Sequence, residues 1–526
     1  MPAGLSGAYD KRAAARSPGP GALVLLAAAL LISACGLAYE LVAGALAAYL
    51  IGDTLTRFST VIGAYLFAMG VGAWLARFVR GEALARFIEI EIAAGVVGGF
   101  SAMLLFAAFA ANVPFQPLLY ALVLAVGVLV GIEIPLLLRL LRADFEFEEL
   151  VSRVLSLDYV GALLASLIFP LWMVPQLGLV RTGLAFGLLN IAVAMATLWV
   201  FRGRLRAPEA WGLWLAAGFS LIALGAGFAG AERFARNAEE RLYRGEVVFA
   251  EQTAYQRIAL LQRGATLRLY LNGRLQFSSR DEHRYHEALV HPALAALGRP
   301  RRVLVLGGGD GLALREILRY PTVESVTLVD IDAQVTSLFR DNAELAKLNG
   351  GSLSDRRVNI VNADAWRWLE ARPTSGPDAQ AFDAVFMDLP DPSSYALGRL
   401  YSAPFFRLVA RHLAPQGLLA TQATSPVAVR EAFWCIVATL EAAGLRTAPY
   451  HANVPSFGDW GFVVASRDTY QMPARLPENL LFLTPQVLQT LFVFSPDIGP
   501  AAVEPNRLDT QQLVGYYDRG WRRGRE

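Results

Sequence analysis

The stretch VLVLGGGDGLALREIL, residues 303–318, decides how the second half of this chain folds. Val303 to Leu306 are four apolar residues in a row, which predicts a buried strand. Gly307, Gly308 and Gly309, then Asp310 and Gly311, form a turn, and from Leu312 onward the spacing is helical. Strand, glycine turn and helix is how a doubly wound α/β sheet opens its ligand crevice. Glycine supplies φ > 0 and lets backbone approach a ligand closely. A glycine run alone is a weak signal. Its weight comes from the residues that follow at the right distances.

Downstream, SVTLVDID predicts the next strand, ending at Asp330. That is about 20 residues past the glycines, where such a fold sets an acid against ribose hydroxyls. Asp332, two residues later, is a rival. VNIVNADA predicts a strand ending at Asp364 and Ala365, where a polar group can meet an adenine edge. FDAVFMDLPDP stops at Asp388, and Pro390 and Pro392 force a loop carrying Asp391. GLLATQATSP predicts another buried strand, ending near Gln422. Asp310, Asp330, Asp364 and Asp388 thus fall at the carboxyl ends of successive strands, the edge where open α/β sheets bind ligands.

Upstream, 247–280 alternates like strands, with Asn272-Gly273 as a hairpin turn. It predicts a small β-hairpin subdomain, reached through a charged helical connector at 231–248. RDEHRYHEALVHPAL predicts a helix with Asp281 near its start. His283, His286, Glu287 and His291 suggest a metal cluster at first sight. The spacing is wrong for the zinc-protease pattern, however, and no cysteine joins them, so a polar face lining a pocket is expected instead. No metal is expected.

The chain is 55% hydrophobic, with mean hydropathy +0.40, too apolar for an ordinary soluble enzyme. The excess lies almost wholly before residue 232. Seven apolar segments, at 21–51, 57–79, 87–111, 116–138, 155–175, 179–201 and 210–230, are each long enough to cross a hydrocarbon core of roughly 30 Å. Lys11, Arg12 and Arg16 precede the first, but its length and the further segments argue against a cleaved signal peptide. Arg77, Arg80, Arg86, Arg139, Arg142, Arg153, Arg202, Arg204 and Arg206 cluster in alternate gaps, which places those gaps and the N-terminus in the cytoplasm. Seven complete spans would then leave the C-terminal half outside, in conflict with a ligand made inside. Glu40, Glu89, Glu91, Glu133 and Asp158 sit in or at the ends of these segments, with Glu40 and Glu133 expected deepest. Charged groups there are costly and tend to mark function, such as a cation site. Net charge is +2, which gives no reason to expect nucleic acid. Cys35 and Cys435 lie too far apart in type of surroundings to suggest a disulfide framework.

YQRI, DEHRYHEALVHPAL, VLVLGGGDG, VDID, NADA, FDAVFMD and LLATQ occur in the order seen in the polyamine aminopropyltransferases, meaning spermidine synthase and its relatives, which this chain resembles over about 247–467. The apolar N-terminal half, DLPDP, RLYSAPFF and VPSFGDWGF resemble the membrane-fused bacterial branch. The resemblance implies an S-adenosylmethionine-methyltransferase-like Rossmann domain. It also implies aminopropyl transfer from decarboxylated S-adenosylmethionine to a polyamine, putrescine giving spermidine and methylthioadenosine. Gln256, Asp330, Asp364 and Ala365, with Gly307 and Gly309, would hold the donor's thioadenosine part. His286, Asp310 and Tyr285 would line the amine site. Asp388 would be the catalytic proton acceptor, with Asp391 beside it on the amine. The donor is a co-substrate, and no resident cofactor is implied. Leu389-Pro390 stand where the soluble enzymes carry small hydroxyl residues, and a tyrosine expected near VPSFGDWGF is not evident.

The expected architecture is therefore an α-helical multi-span membrane domain at 1–232, a connector and β-hairpin subdomain at 233–280, and an α/β doubly wound catalytic domain at 281–526. The multi-pass protein would lie in the cell membrane, with its catalytic domain cytoplasmic. Its partners would be the two small molecules and the bilayer; a homodimer is left open. Two rivals stand beside this reading: a methyltransferase using intact S-adenosylmethionine, and a membrane transporter or sensor with a non-catalytic polyamine-binding domain.

Overall fold

In the computed structural model, which describes residues 19–51, 54–111, 113–243, 245–374 and 381–523, the apolar half of the chain is helical throughout. Its helices are α1 (Pro20–Ile51), α2 (Thr54–Leu75), α3 (Ala83–Ala110), α4 (Phe115–Leu141), α5 (Phe147–Ile168), α6 (Val174–Val200) and α7 (Ala207–Tyr243). Lys11, Arg12 and Arg16 lie outside the described residues. The expected apolar segments follow these helices, except that 155–175 runs from α5 through a π-turn into the start of α6. Counted as continuous helix, six runs are long and apolar enough to cross a bilayer, because α5 and α6 form one run, Phe147–Val200. A π-turn at Phe169–Met173 and a break at Gly178, φ 72°, join them. That run must double back. Ser33 donates to the Asp158 carbonyl at 2.6 Å, while Gly21 packs on the Phe201 ring. These contacts are about 18 Å apart along α1, whereas a straight helix would separate residues 158 and 201 by about 64 Å.

Small residues let the helices meet backbone to backbone. A Cβ on Gly72 would lie 2.2 Å from the Val128 carbonyl oxygen, and one on Gly131 2.2 Å from that of Met69. The acids differ from expectation. Glu91 and Glu133 are the most deeply buried, at 0% and 1% exposed, with Glu40 at 8%. Glu89 is on the surface, paired with Arg86.

The described chain falls into two compact units that divide at Ala238–Glu239. The charged stretch at 231–248 is no separate connector up to Tyr243, since α7 runs straight through it. The second unit opens with β1 (Glu246–Gln252), β2 (Arg257–Arg263), β3 (Thr266–Leu271) and β4 (Arg274–Ser278), an antiparallel sheet in chain order. The expected hairpin is thus half of a four-stranded meander. Asn272 and Gly273, at φ 48° and 76°, make its last turn. Two successive left-handed residues match the twist of the strands they join.

A seven-stranded sheet follows: β5 (Arg302–Gly307), β6 (Ser325–Asp330), β7 (Val358–Asn362), β8 (Phe382–Asp388), β9 (Leu413–Gln422), β10 (Arg446–Val454) and β11 (Gly458–Ser466). Its order is β10-β11-β9-β8-β5-β6-β7. β5 to β9 are parallel, while β11 and β10 run antiparallel at one side. The order reverses between β5 and β8, which opens a crevice beyond their carboxyl ends. Helix α8 (Glu282–Ala296) covers one face, with Leu289 and Ala293 in the core of Val303, Val305 and Phe386. On the other face Leu304, Leu306, Val385 and Met387 pack with Phe405, Phe406 and Phe433. With both faces buried, β5 and β8 need the continuous apolar runs their sequences show. Helix α9 (Leu312–Ile317) leaves the glycine turn.

Candidate active site

The glycine turn brings β5 and β8 together at the crevice. Gly307 and Gly308 have φ 79° and 67°. A Cβ on Gly307 would lie 2.1 Å from the Asp388 carbonyl oxygen, so no other residue fits there. The Gly308 N–H donates to that carbonyl at 3.0 Å. Asp330, at the end of β6, accepts from the Gly309 N–H at 3.0 Å and the Asp332 N–H at 2.9 Å. It therefore clamps the turn from the neighbouring strand. Asp332 has other duties. It accepts from Thr253 at 2.8 Å, Gln256 Nε2 at 2.9 Å and the Gln334 N–H at 3.1 Å, which caps the next helix. Gln256 is thereby fixed beside the end of β6.

Asp364 follows β7, at the far side of the same edge. It caps the helix Ala365–Glu370 through the Arg367 N–H at 3.0 Å and pairs with Arg399. Ala365 is that helix's first residue and is buried. The four strand-end acids share one edge, and two of them, Asp310 and Asp388, meet.

They meet around α8. Tyr285 donates to Asp388 Oδ1 at 2.7 Å. His286 Nε2 lies 4.0 Å from Asp388 Oδ2, and one ligand-type atom each of His286, Asp310 and Asp388 all lie within 4.8 Å of one another. Behind the imidazole, Nδ1 lies 2.9 Å from a Glu282 carboxylate oxygen, and Glu282 also takes two hydrogen bonds from Arg315, at 2.8 and 2.9 Å. Burial would raise the Glu282 carboxyl, but His286 and Arg315 bring it down to about 2. Burial would likewise lower His286, but Glu282 raises it to about 9. A protonated imidazole offers a donor and no lone pair. By residue type this trio could ligate a metal; in that protonation state it presents two carboxylates and a cation instead.

Burial raises Asp310 to about 6 against the pull of His286. It raises Asp330 to about 6 as well. Asp388 is also raised by burial, opposed by His286 and the Tyr285 hydrogen bond. Asp391 shares the pattern: burial raises it, and Tyr517 opposes. Asp310 and Asp388 share the one imidazole of His286, while Asp391 has Arg274 near it.

The remaining expected histidine-face residues are not part of this group. His291 lies 3.1 Å from Glu316 and 3.0 Å from the Tyr320 hydroxyl. Glu287 accepts the N–H groups of Leu481, Phe482 and Leu483 at 2.7 to 2.9 Å, so it anchors a loop. The pocket-lining face of α8 narrows to Tyr285 and His286.

Several groups at the site are not among the expected site residues. Tyr517, on the C-terminal helix Gln512–Arg523, donates to Asp391 Oδ2 at 2.9 Å and accepts from Arg274 of β4 at 2.7 Å. Asp391 Oδ1 is buried without a partner. Gln422 Nε2 donates to the Leu389 carbonyl at 2.8 Å and contacts the Tyr401 hydroxyl at 2.6 Å, and this pair steadies the loop between the two acids. Tyr285, Phe457 and Trp460 form an aromatic wall, with ring centroids 6.0 and 5.1 Å apart in turn. The Trp460 indole N–H is buried and unpartnered. Phe457 and Trp460 belong to VPSFGDWGF, near which a tyrosine is expected.

Residues 282–474 match the family model described as the spermine/spermidine synthase domain. The chain is 51% identical over 519 residues to polyamine aminopropyltransferase 1 of Ralstonia nicotianae, covering 96% of this chain and 97% of that protein. It is 49% identical over 494 residues to a polyamine aminopropyltransferase of Leptospira interrogans, covering 94% and 98%. Among solved structures, a spermidine synthase in complex with the transition-state analogue AdoDATO aligns at 22% identity and TM-score 0.44, covering 51% of this chain and 88% of that one.

Proposed function

The chain belongs to the polyamine aminopropyltransferase family, that of spermidine synthase, and on that premise we propose that it moves the aminopropyl group of decarboxylated S-adenosylmethionine to a diamine, putrescine first among them. The observation that carries this reading is the pair Asp388 and Asp391. Both are half-buried, and each has one oxygen tied to a tyrosine, while the buried Asp391 Oδ1 faces the Gln422 and Thr424 side chains. A protonated amine has only donors to offer, and ionised acceptors give it the stronger bonds. We assign Asp391, with Trp460 and Phe457 alongside, to the acceptor.

Asp388 is the proton acceptor in this proposal. A neutral amine nitrogen attacks the methylene next to the sulfonium. The C–N bond forms as the C–S bond breaks, the sulfur leaves as a neutral thioether, and the extra amine proton passes to Asp388. Tyr285 fixes Oδ1, which leaves Oδ2 to orient the amine. Little covalent help is needed, so positioning carries most of the rate. Asp310 takes the donor's ammonium. Asp330, Gln256, Asp364 and Ala365 take its thioadenosine part, with Gly307 and Gly309 allowing close approach. His286, held cationic by Glu282, keeps Asp310 and Asp388 ionised when they face each other.

We further propose that α1 to α7 lie in the cell membrane, with the catalytic unit cytoplasmic. The confinement of apolar helices to that half supports the first part. The second rests on where the donor is made, and it requires an even number of complete crossings. A reporter fused at the C-terminus tests it, and an external signal overturns it. For the reaction, purified protein with decarboxylated donor and putrescine should release methylthioadenosine. No release with any diamine would refute the assignment.

A further inference from the structure

The helical unit holds a polar centre that aminopropyl transfer does not use. Glu91 of α3 and Glu133 of α4 are 0% and 1% exposed, and no oxygen of either carboxylate has a hydrogen-bond partner. The two acids are close enough to feel each other's charge; Cys35 and Tyr39 lie within reach of both, and Tyr65 within reach of Glu133 and Glu40. Two further buried polar atoms there lack partners, the Tyr39 hydroxyl and Asn190 Oδ1. Glycines on the Glu91 side of α3 make room for both. Asn190 sits against Gly95, one turn from Glu91, where a Cβ would come 3.0 Å from its own. Tyr39 sits against Gly98, two turns away, where a Cβ would come 2.6 Å from its ring.

A buried carboxylate with neither cation nor donor is among the costliest arrangements in a protein interior. Inside a helical bundle of this apolarity, such groups mark a pathway or a binding site. Every unpartnered atom here except the tyrosine hydroxyl can only accept. The complement is a ligand made of donors, and an alkylammonium group has three N–H donors and no acceptor. Tyr39, within reach of both acids, adds an aromatic ring of the kind that attracts organic cations. The apolar bundle suits a methylene chain better than the water shell of a metal ion.

We propose that Glu91, Glu133, Tyr39 and Asn190 form a binding site for an organic cation bearing a protonated primary amine, separate from the catalytic crevice. The site is independent of the catalytic assignment, and a failure of transferase activity would leave its test intact.

The test is calorimetric titration of the full-length protein, in detergent or nanodiscs, with 1,4-diaminobutane. Wild type should show two classes of site. Glu91→Gln/Glu133→Gln should keep its methylthioadenosine release and lose one class, or weaken it by more than about tenfold. Tyr39→Phe keeps the ring and should weaken that class several-fold. Binding unchanged in the double variant overturns the proposal, as does a thermal shift produced by sodium chloride but not by the diamine. If the double variant does not fold, Tyr39→Phe decides: unchanged affinity in that variant overturns the site.

Discussion

Replacing Asp310 by asparagine separates its charge from its structural duties. The Asp310 carboxylate accepts from the Leu312 N–H at 3.0 Å, and an asparagine oxygen can do the same. The Asn349 side chain donates to the Asp310 backbone carbonyl, which the change does not touch. Intact S-adenosylmethionine differs from the decarboxylated donor by one carboxylate, on the carbon bearing the ammonium that Asp310 is assigned to hold. A fixed anion about 4 Å from that carboxylate repels it by about 1 kcal/mol with water-like screening and about 4 kcal/mol at an effective dielectric near 20. Asp310 is buried, so the upper end applies, a discrimination approaching a thousandfold. Removing the charge weakens the correct donor and relieves the wrong one, so the affinity ratio should narrow from both sides. Turnover is a poor measure of this, because Asp388 shares the same 4.8 Å cluster and becomes a weaker base once its anionic neighbour is gone. The assay is therefore calorimetric titration of both donors on wild type and Asp310→Asn. A ratio unchanged within twofold, with a lowered melting temperature, would show that Asp310 only caps the turn and would refute the selectivity argument.

Asp388→Asn should lower kcat by roughly 10²- to 10⁴-fold while the donor Kd stays put; near-normal turnover would move the base elsewhere. Tyr517→Phe deprives Asp391 Oδ2 of its donor and should raise the KM for the acceptor about tenfold with the donor KM unchanged, read from steady-state kinetics with each substrate varied. In the free enzyme, kcat/KM should rise with pH through about 6, as Asp310 and Asp330 lose their protons and gain the charge that holds the donor. It should fall through about 9 as His286 deprotonates. The folded value for His286 lies above its ordinary 6.5, so the stability it contributes is complete below 6.5 and is lost as pH rises through about 9. Thermal melts across that window should follow, and a flat profile would place the protonated group elsewhere.

What could be read from the chain was what neighbours along it decide. The β5 run, its glycine turn and the acids at the strand ends are local patterns, and each landed where expected. The meander was under-read because the turn between Arg263 and Thr266 rests on Gly264 alone, whereas Asn272-Gly273 announces itself. The burial of Glu91 is legible in the sequence. Glu89 and Glu91 point about 200° apart on a helix, so only one can face inward, and Gly95 and Gly98 mark Glu91's side. Asp391's partner could not have been read at all. Tyr517 is 126 residues away in an amphipathic helix, where nothing separates a core tyrosine from a site tyrosine. His291 and Glu287 were over-read for a matching reason: a polar side chain on a buried helix face looks the same whether it serves a ligand or a loop.

The hydrogen-bond chain from Arg274 through Tyr517 to Asp391 has a consequence for how the enzyme is made. Its two links join residues 243 and 126 positions apart, while Asp330 clamps the glycine turn across only 21. Long closures cost more entropy before they return any contact, and high contact order slows folding. The Asp391 end of the crevice is therefore the most topologically remote part of the site. On a ribosome, Tyr517 emerges long after the sheet and its glycine turn. A nascent chain can complete the Asp330 clamp first, and it closes the Asp391 end only when its last helix has docked.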